Sequence, residues 1–415
     1  MKRIYTCIDI GSSSIKVLVG EMFKGRLIVL ATSCVKSRGV KKGLIIDANE
    51  AISSIKEAIA EVEGKLGIKI DKVIASVPAY LATYTEVDGY STITSEDKKV
   101  TGNDITRALQ ACVYNKISED VELVTIIPIE FVLDKKANIK DPKGMVGSKL
   151  GIRAMMVTTS KKSLYAIVSI LESLGLKVVE TNFGTIGEYY EYRDKDMDKM
   201  SGAIISIGGD LTNVTIFDKG IATASDIIPL GGHNIDNDIA YIKKISKTDA
   251  LRLKESFAIA NRHYAQGSET ISVFDKFKKE ISLNQLEISD IVMSRLLEIL
   301  KLAKKQASLL TNKENSYIII TGGVSEMPGI TSLLGDVFGK EARIGNIETM
   351  GIRDNKYAAL AGMIKYFHGK LNLRGKEYSM LSVENEEELI SSKKGVLNIS
   401  EDSVLGKVFG YFFDK

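Results

Sequence analysis

Short apolar runs, separated by glycine and small polar residues, recur along this chain of 415 residues and predict a mixed α/β protein. Apolar runs of about four to eight residues predict strands, whereas apolar residues three and four positions apart predict amphipathic helices. The helical pattern covers residues 51–66, 161–174 and 292–309. The chain is long enough for two or more packed domains.

One strand–turn–strand pattern occurs twice. Ile8-Asp9-Ile10-Gly11-Ser12-Ser13 aligns without a gap with Ile205-Ser206-Ile207-Gly208-Gly209-Asp210, and Val17 then falls on Val214. Each copy predicts a β-hairpin with free backbone N–H groups at its tip, where glycine allows close approach to an anion. Either copy alone is compatible with an ordinary hairpin. Two copies in register, one in each half of the chain, favour a phosphate site.

A third pattern adds to this pair. Tyr317-Ile318-Ile319-Ile320 predicts a buried strand, which is followed by Gly322-Gly323 and by a helical pattern over residues 329–338. A strand that ends in glycines before a helix is a common place for a nucleotide to lie against the backbone. The chain has neither a Walker A loop nor a GxGxxG fingerprint in a strand–loop–helix setting.

Composition excludes several classes of function. The net charge of +3 is small, and acidic and basic residues interleave, which argues against nucleic-acid binding. The three cysteines lie far apart without a CxxC pair, so we expect neither a disulfide framework nor a zinc site. This cysteine usage suits a reducing compartment. The N-terminus does not resemble a signal peptide, and no apolar run approaches the roughly 20 residues of a spanning helix.

The C-terminal region has two parts. Residues 371–402 are polar and include Glu386-Glu387-Glu388, which predicts a flexible linker. On a helix, residues 403–415 would gather apolar side chains on one side, among them Val404, Leu405, Val408, Phe409, Phe412 and Phe413. This pattern is typical of a helix in a membrane interface, although docking on the protein's own core is the alternative. One such tail would bind marginally, whereas many tails on one polymer would bind firmly.

The two hairpins and the Gly322-Gly323 turn together resemble the superfamily of actin, the seventy-kilodalton heat-shock chaperones and the sugar kinases. Three stretches narrow this resemblance: Asp9-Ile10-Gly11-Ser12-Ser13-Ser14-Ile15-Lys16, Asp141-Pro142-Lys143-Gly144-Met145-Val146-Gly147, and Pro229-Leu230-Gly231-Gly232 with Asn237-Asp238. With them the chain resembles the bacterial cell-division FtsA family over about residues 4–370 and again at its C-terminus.

The resemblance implies an α/β, actin-type ATPase fold of two lobes with duplicated β-sheet cores. The implied core of lobe 1 is 1–84 with 163–200 and 351–370, interrupted by an inserted family-specific subdomain at 85–162. Lobe 2 would consist of 201–231 and 311–350, with a helical subdomain at 232–310. A linker at 371–402 and a membrane-targeting amphipathic helix at 403–415 would complete the chain.

ATP and Mg²⁺ are the cofactors that the resemblance implies. By this resemblance, Asp9 would help to hold the metal shell. The residues that would bind the phosphates are Gly11, Ser12, Ser13, Lys16, Gly208, Gly209 and Thr212. Gly322 and Gly323 would pack on the adenosine. Lys254 and Glu255 would reach the ribose or base, with a solvated helix face as the alternative.

The chain departs from the family pattern at the second turn. Ser206 stands where the family usually has an aspartate, and Asp210 follows where a glycine is usual. A carboxylate at the first position helps to coordinate metal and to orient water, which serine cannot do. Asp210 would either replace the missing metal ligand or weaken binding. We therefore expect ATP–Mg²⁺ binding with slow or absent hydrolysis.

The resemblance also implies a function: a self-assembling, ATP-binding protein that tethers the FtsZ ring to the inner face of the cytoplasmic membrane at the division site. Later division proteins are further implied partners. Arg295 would contact the C-terminal peptide of FtsZ, with an ion pair to Glu298 as the alternative. Two other functions remain open, a scaffold of a pilus-assembly type machine and a small-molecule kinase, although no general-base aspartate for a kinase is identified.

Overall fold

The computed structural model describes residues 3–381. In chain order the strands are β1 Ile4–Ile10, β2 Ser14–Phe23, β3 Arg26–Lys36, β4 Val40–Lys41, β5 Leu44–Ile45, β6 Lys72–Val77, β7 Thr83–Thr92, β8 Val121–Leu133, β9 Lys136–Ile139, β10 Lys149–Ser160, β11 Lys177–Phe183, β12 Ser201–Ile207, β13 Thr212–Asp218, β14 Ile221–Ile228, β15 Thr270–Phe274, β16 Glu280–Asn284, β17 Tyr317–Thr321 and β18 Ala342–Ile344. The helices are α1 Ala48–Leu66, α2 Gly102–Val113, α3 Lys161–Ser173, α4 Gly184–Tyr192, α5 Gly232–Lys243, α6 Lys247–Ser256, α7 Gln285–Leu310, α8 Ile330–Phe338 and α9 Ala358–Leu373. Four short 3-10 helices lie at Met197–Lys199, Arg262–Tyr264, Gly323–Glu326 and Asn355–Tyr357.

Two five-stranded sheets with the same topology form the cores of two lobes. In the first sheet the order is β11-β6-β1-β2-β3, and in the second it is β14-β13-β12-β17-β18. In both, three antiparallel strands are extended by strands that run parallel to the first of them. The repeat predicted from the sequence is therefore confirmed as a duplicated sheet.

The register places corresponding residues at corresponding points of the two sheets. Asp9 pairs with Lys16 across the β1–β2 hairpin, and Ser206 pairs with Asn213 across the β12–β13 hairpin. Ser206 thus occupies in the second lobe the position that Asp9 occupies in the first. The glycine-bearing turns follow directly after both positions.

A separate antiparallel sheet, in the order β7-β10-β8-β9, occupies the segment predicted to be an inserted subdomain, with β7 beginning two residues before it at Thr83. Helix α2 packs against it closely, because a Cβ atom on Gly89 would lie 2.2 Å from the carbonyl oxygen of Ala108. Thr101 caps α2, accepting from the Asp104 N–H while the Asp104 carboxylate accepts from the Thr101 N–H.

The segment predicted as a helical subdomain contains α5, α6 and the whole of α7, but also the hairpin of β15 and β16. The three predicted amphipathic helices correspond to α1, α3 and α7. Helices α1 and α7 begin earlier than predicted, because Asp47 and Asn284 cap them at positions where the apolar pattern carries no signal.

The chain passes between the lobes through two helices that touch backbone to backbone. It leaves the first lobe after α4 and returns to it before α9. A Cβ atom on Gly362 of α9 would lie 1.6 Å from the carbonyl oxygen of Gly187 of α4. Glycine at both positions allows this close crossing.

The linker was predicted to begin at residue 371, but residues 371–373 end α9 and residues 374–381 pack on the first lobe, so this part of the prediction is wrong. Met380 donates its N–H to the carbonyl oxygen of Ile4, and Met380 and Leu381 are buried. Met380 packs in one apolar cluster with Tyr5 and Cys7 of β1. The spacing of apolar residues in this short segment does not predict that contact. The rest of the predicted linker and the predicted helix at 403–415 lie outside the described residues.

Candidate functional site

The first turn is shaped by its own backbone and by neighbouring loops. The N–H of Gly11 donates to the carbonyl oxygen of Ser14 at 3.1 Å, and the N–H of Ser37 donates to that of Ser13 at 3.0 Å. The hydroxyl of Ser12 accepts from the N–H of Gly43 at 2.9 Å. These bonds fix a compact turn between β1 and β2.

Beneath this turn lies a partly buried ion pair. The ammonium group of Lys16 donates to Oδ2 of Asp9 at 2.5 Å, and the hydroxyl of Ser76 donates to Oδ1. Burial alone would raise the pKa of Asp9, but Lys16 and Ser76 together hold it below its ordinary value. Burial would likewise lower the pKa of Lys16, yet Asp9 raises it. Both groups therefore stay charged at neutral pH.

The second turn packs against the start of α5. The carbonyl oxygens of Gly208 and Gly209 accept from the N–H groups of Gly232 and His233 at 2.9 and 2.7 Å. The hydroxyl of Thr212, which is fully buried, donates to the carbonyl oxygen of Leu230 at 2.9 Å. The first N–H groups of α5 thereby fix the backbone of the second turn.

Asp210 joins this second turn to the first lobe. Its Oδ2 accepts from the N–H of Lys42 at 2.8 Å, and its Oδ1 lies 2.8 Å from Nδ1 of His233. Burial would raise the pKa of Asp210, but the hydrogen bonds from Lys42 and His233 lower it. Both carboxylate oxygens are thus engaged by protein groups, as those of Asp9 are by Lys16 and Ser76. The role of Asp210 as a metal ligand stays a prediction.

The two turns lie against each other. Nε2 of His233 is 3.0 Å from the hydroxyl oxygen of Ser13. A Cβ atom on Gly209 would lie 1.9 Å from the same oxygen. Two turns predicted from separate halves of the sequence therefore border one site between the lobes.

The third predicted turn lies beside the second. Gly322 has a φ of 88°, and a Cβ atom there would lie 2.5 Å from the carbonyl oxygen of Ile207. A Cβ atom on Gly323, by contrast, would meet nothing within 4 Å. The first glycine is thus required by the close approach of β12, whereas the second presents open backbone.

Sequence reasoning missed two residues of this site, His233 and Glu188. Glu188 lies on α4, is 4% exposed and accepts from the hydroxyl of Ser206 at 2.7 Å. Burial raises the pKa of Glu188 to about 7, and nearby Asp9 adds to this effect. The only sequence signal for His233 was its position directly after Gly231-Gly232, and no sequence signal marked Glu188.

Comparison with known proteins identifies the family. A family model described as "Cell division protein FtsA" matches residues 203–362, and a second, "SHS2 domain inserted in FTSA", matches residues 83–158. Together they match more than half of the chain. The chain belongs to the FtsA family.

Curated relatives agree with this assignment. The chain is 29% identical over 381 residues to the cell division protein FtsA of Bacillus subtilis (strain 168), covering 90% of this chain and 86% of the relative. It is 27% identical over 411 residues to the cell division protein FtsA of Borreliella burgdorferi, covering 95% and 98%.

Solved structures confirm the predicted actin-type fold. A chain of a PilM–PilN type IV pilus biogenesis complex has a TM-score of 0.58 at 16% identity, covering 90% of this chain and 99% of that one. MreB5 of Spiroplasma citri bound to ADP has a TM-score of 0.53 at 14% identity, covering 89% and 98%. At these identities the likeness concerns the fold alone, so it does not favour the pilus-scaffold alternative over FtsA.

Lys254 and Glu255 occupy different environments. The ammonium group of Lys254 is buried, lies 2.7 Å from Oδ1 of Asp236 and donates to the carbonyl oxygen of Gly232 at 3.3 Å. Lys254 therefore supports the second turn from within and does not lie on a solvated helix face. Glu255 is exposed.

Arg295, the predicted FtsZ contact, takes part in an ion-pair network within the chain. Its guanidinium donates to both carboxylate oxygens of Asp238, at 2.6 and 3.0 Å, and to Glu298 at 2.5 Å. Asp238 belongs to one of the stretches that carry the family resemblance.

Neither a spanning helix nor a metal cluster is found between residues 3 and 381. No helix there is long and apolar enough to cross a membrane. Within the same residues, no three histidine, cysteine, aspartate or glutamate side chains gather as metal ligands would. The predicted membrane residues Val404, Leu405, Val408, Phe409, Phe412 and Phe413 lie outside the described range.

Proposed function

We propose that this protein binds ATP with Mg²⁺ between its two lobes, assembles into filaments, and holds the FtsZ ring at the inner face of the cytoplasmic membrane. The observation that supports the proposal is the contact of Ser13 with His233 and Gly209, through which the two glycine-bearing turns meet in a member of the FtsA family. Recruitment of later division proteins belongs to the same proposed role.

The residues of the two turns suit a triphosphate. Backbone N–H groups around Gly11, Ser12 and Ser13 would hold phosphate oxygens from one lobe, and those around Gly208 and Gly209 from the other. Lys16 would neutralise phosphate charge, and Asp9 would face the metal shell. MreB5 of Spiroplasma citri, which shares the fold, is known bound to ADP and to AMPPNP. That neighbour supports a nucleotide as the ligand.

Hydrolysis should be slow or absent. Ser206 replaces a carboxylate at the end of β12, and Asp210 is engaged by His233 and Lys42. A single-turnover assay with Mg²⁺ and ATP should give a rate far below that of an efficient ATPase. Robust hydrolysis that is unaffected by Asp210→Ala would contradict this part of the proposal.

Membrane attachment would use residues 403–415. Seven partly buried apolar side chains at about 1 kcal/mol each, less the cost of ordering the segment, give only weak binding for one tail. Liposome co-sedimentation of the full chain and of a chain lacking residues 403–415 tests this. We expect sedimentation of the full chain to rise steeply with protein concentration and to vanish without the tail. A full chain that never sediments would instead favour the pilus-scaffold or kinase alternatives.

The FtsZ peptide would bind near Arg295. A peptide carboxylate could replace Asp238 or Glu298 as a bidentate partner of the guanidinium. Binding of a synthetic C-terminal FtsZ peptide should weaken in Arg295→Ala. Arg262→Ala is the matched control, because Arg262 also pairs with an aspartate, Asp290, on α7. Equal weakening in both variants would contradict a specific role for Arg295.

A further inference from the structure

The β15–β16 hairpin ends in two exposed phenylalanines that the site between the lobes does not use. Phe274, the last residue of β15, is 63% exposed, and Phe277, in the turn that follows, is 79% exposed. Successive side chains of a strand point to opposite faces, so Phe274 shares a face with every second residue of β15. The other pairs on that face are polar, namely Ser272 with Ser282 and Thr270 with Asn284. The apolar character of this face is therefore confined to the tip of the hairpin.

The backbone of the tip is fixed by Asp275 and by the end of α5. Oδ1 of Asp275 accepts from the N–H groups of Phe277 and Lys279 at 2.8 and 2.9 Å. The N–H of Lys276 donates to the carbonyl oxygen of Lys244, the residue after α5, at 2.8 Å. Because the turn is already ordered, little backbone entropy is lost when its phenylalanines enter an apolar phase.

Helix α5 brings further apolar side chains to the same region. Tyr241 and Ile242 in its last turn are both exposed. An isolated bridge between Ile245 and Asp275 joins the chain after this helix to the tip. Single exposed apolar residues are ordinary, whereas four on two segments that are bonded to each other indicate a contact surface.

Lysines surround this group of apolar side chains. The exposed ones at the tip and beside it are Lys244, Lys276, Lys278 and Lys279. No ion pair among residues 3–381 engages their ammonium groups, in contrast to Lys243, which pairs with Glu287. The two carboxylates of the tip belong to Asp275 and Glu280, so the four lysines leave a net charge of +2. Aromatic side chains flanked by unpaired lysines match an anionic lipid surface, where rings enter the interface and ammonium groups meet headgroup phosphates.

We propose that this hairpin tip is a second contact with the membrane, in which Phe274 and Phe277 enter the lipid interface and the surrounding lysines meet anionic headgroups. The inference rests on the proposed membrane attachment, which it extends from the C-terminal tail to the folded part of the chain. Two contacts on one molecule reinforce each other by effective concentration. A tip that binds too weakly alone therefore tightens the binding of a chain that its tail already holds, and it orients the second lobe against the membrane.

A tryptophan introduced at the tip tests the contact directly, because the chain contains no other tryptophan. The whole chain carrying Phe277→Trp is mixed with vesicles of phosphatidylcholine, with or without phosphatidylglycerol. On the anionic vesicles we expect a blue shift of the emission and quenching by lipids brominated in their acyl chains. Tyr114→Trp is the matched control, because Tyr114 is an equally exposed aromatic residue at the end of α2, and it should show neither effect.

The lysines are tested by co-sedimentation of Lys276→Gln/Lys278→Gln/Lys279→Gln with the same anionic vesicles. Each lysine near such a surface contributes to binding, so this variant should bind about 10- to 100-fold more weakly than the parent. The control is Lys135→Gln/Lys136→Gln/Lys140→Gln, which removes three exposed lysines from the β8–β9 hairpin and should bind as the parent does. Thermal melting of every variant checks folding.

Three outcomes would contradict the inference. An unshifted tryptophan at position 277 on vesicle-bound protein would overturn it alone, as would equal binding of the two folded lysine variants. A blue shift that grows with protein concentration without vesicles would show that a second copy covers the tip, and would overturn it too. A parent that never binds vesicles would overturn the proposed membrane attachment itself, and this inference with it.

Discussion

The hydroxyl oxygen of Ser13 lies 3.0 Å from Nε2 of His233, so a side chain of the first lobe meets one of the second at the site. Through its other nitrogen, His233 contacts Asp210, which in turn accepts from the N–H of Lys42 in the first lobe. This continuous chain of polar contacts crosses between the lobes twice. It holds the two glycine-bearing turns together in the structure.

Replacing His233 with alanine should loosen this connection. Two hydrogen bonds are lost, one of them to a carboxylate, and we expect the free energy of unfolding to fall by about 1–2 kcal/mol. Chemical denaturation without nucleotide measures the change. His263→Ala is the control, because His263 is exposed and donates only its backbone N–H, to Asn261. An equal loss in both variants would show that the cross-lobe contact adds nothing.

The two glycines after β17 should respond differently to alanine. Gly322→Ala places a side chain at a φ of 88° and against the carbonyl oxygen of Ile207, which should cost about 1–3 kcal/mol. Gly323→Ala meets nothing within 4 Å and should stay within about 0.5 kcal/mol of the parent. Denaturant unfolding compares the two variants, and similar values for both would contradict the geometry.

Glu188 should make the metal-free protein less stable as pH rises. Its pKa is about 7 in the folded chain against an ordinary 4.5, so between these values the native state binds more protons than the unfolded state. Stability then falls as pH rises from 4.5 to 7 and is flat above. Relative to the parent, Glu188→Gln should gain about 3 kcal/mol across this window, measured in EDTA without nucleotide. A difference that does not change with pH would contradict the prediction.

A buried ion pair in the first lobe should behave as a unit. The ammonium group of Lys370 lies 2.5 Å from Glu180, and both side chains are almost fully buried. Lys370→Met leaves the carboxylate buried without this partner, which should cost about 3–5 kcal/mol of unfolding free energy. The double variant Glu180→Leu/Lys370→Met should recover most of that loss. A double variant as unstable as the single one would show that packing, and not charge, determines the cost.

The sequence predicted those parts of the molecule that repeat or that follow a local period. The hairpins around Gly11 and Gly208 were visible because one apolar pattern occurs twice, and α1, α3 and α7 because of their helical spacing. Glu188 and His233 were not, because their roles depend on contacts with Ser206 and Ser13 across the fold. Residues 374–381 were assigned to a linker, since few apolar residues suffice to cover one side of β1.

The crossing of α4 and α9 determines how the site can open. The chain passes between the lobes only beside Gly187 and Gly362, so among the described residues these two passages form a single joint. Helices in backbone contact turn about that contact more easily than they slide, because sliding would drive neighbouring Cβ atoms into the main chain. Glu188 follows Gly187 directly and so lies next to the axis of that turn. A side chain at that position moves least when the lobes turn, so the hydrogen bond between Ser206 and Glu188 should persist while the outer subdomains swing apart.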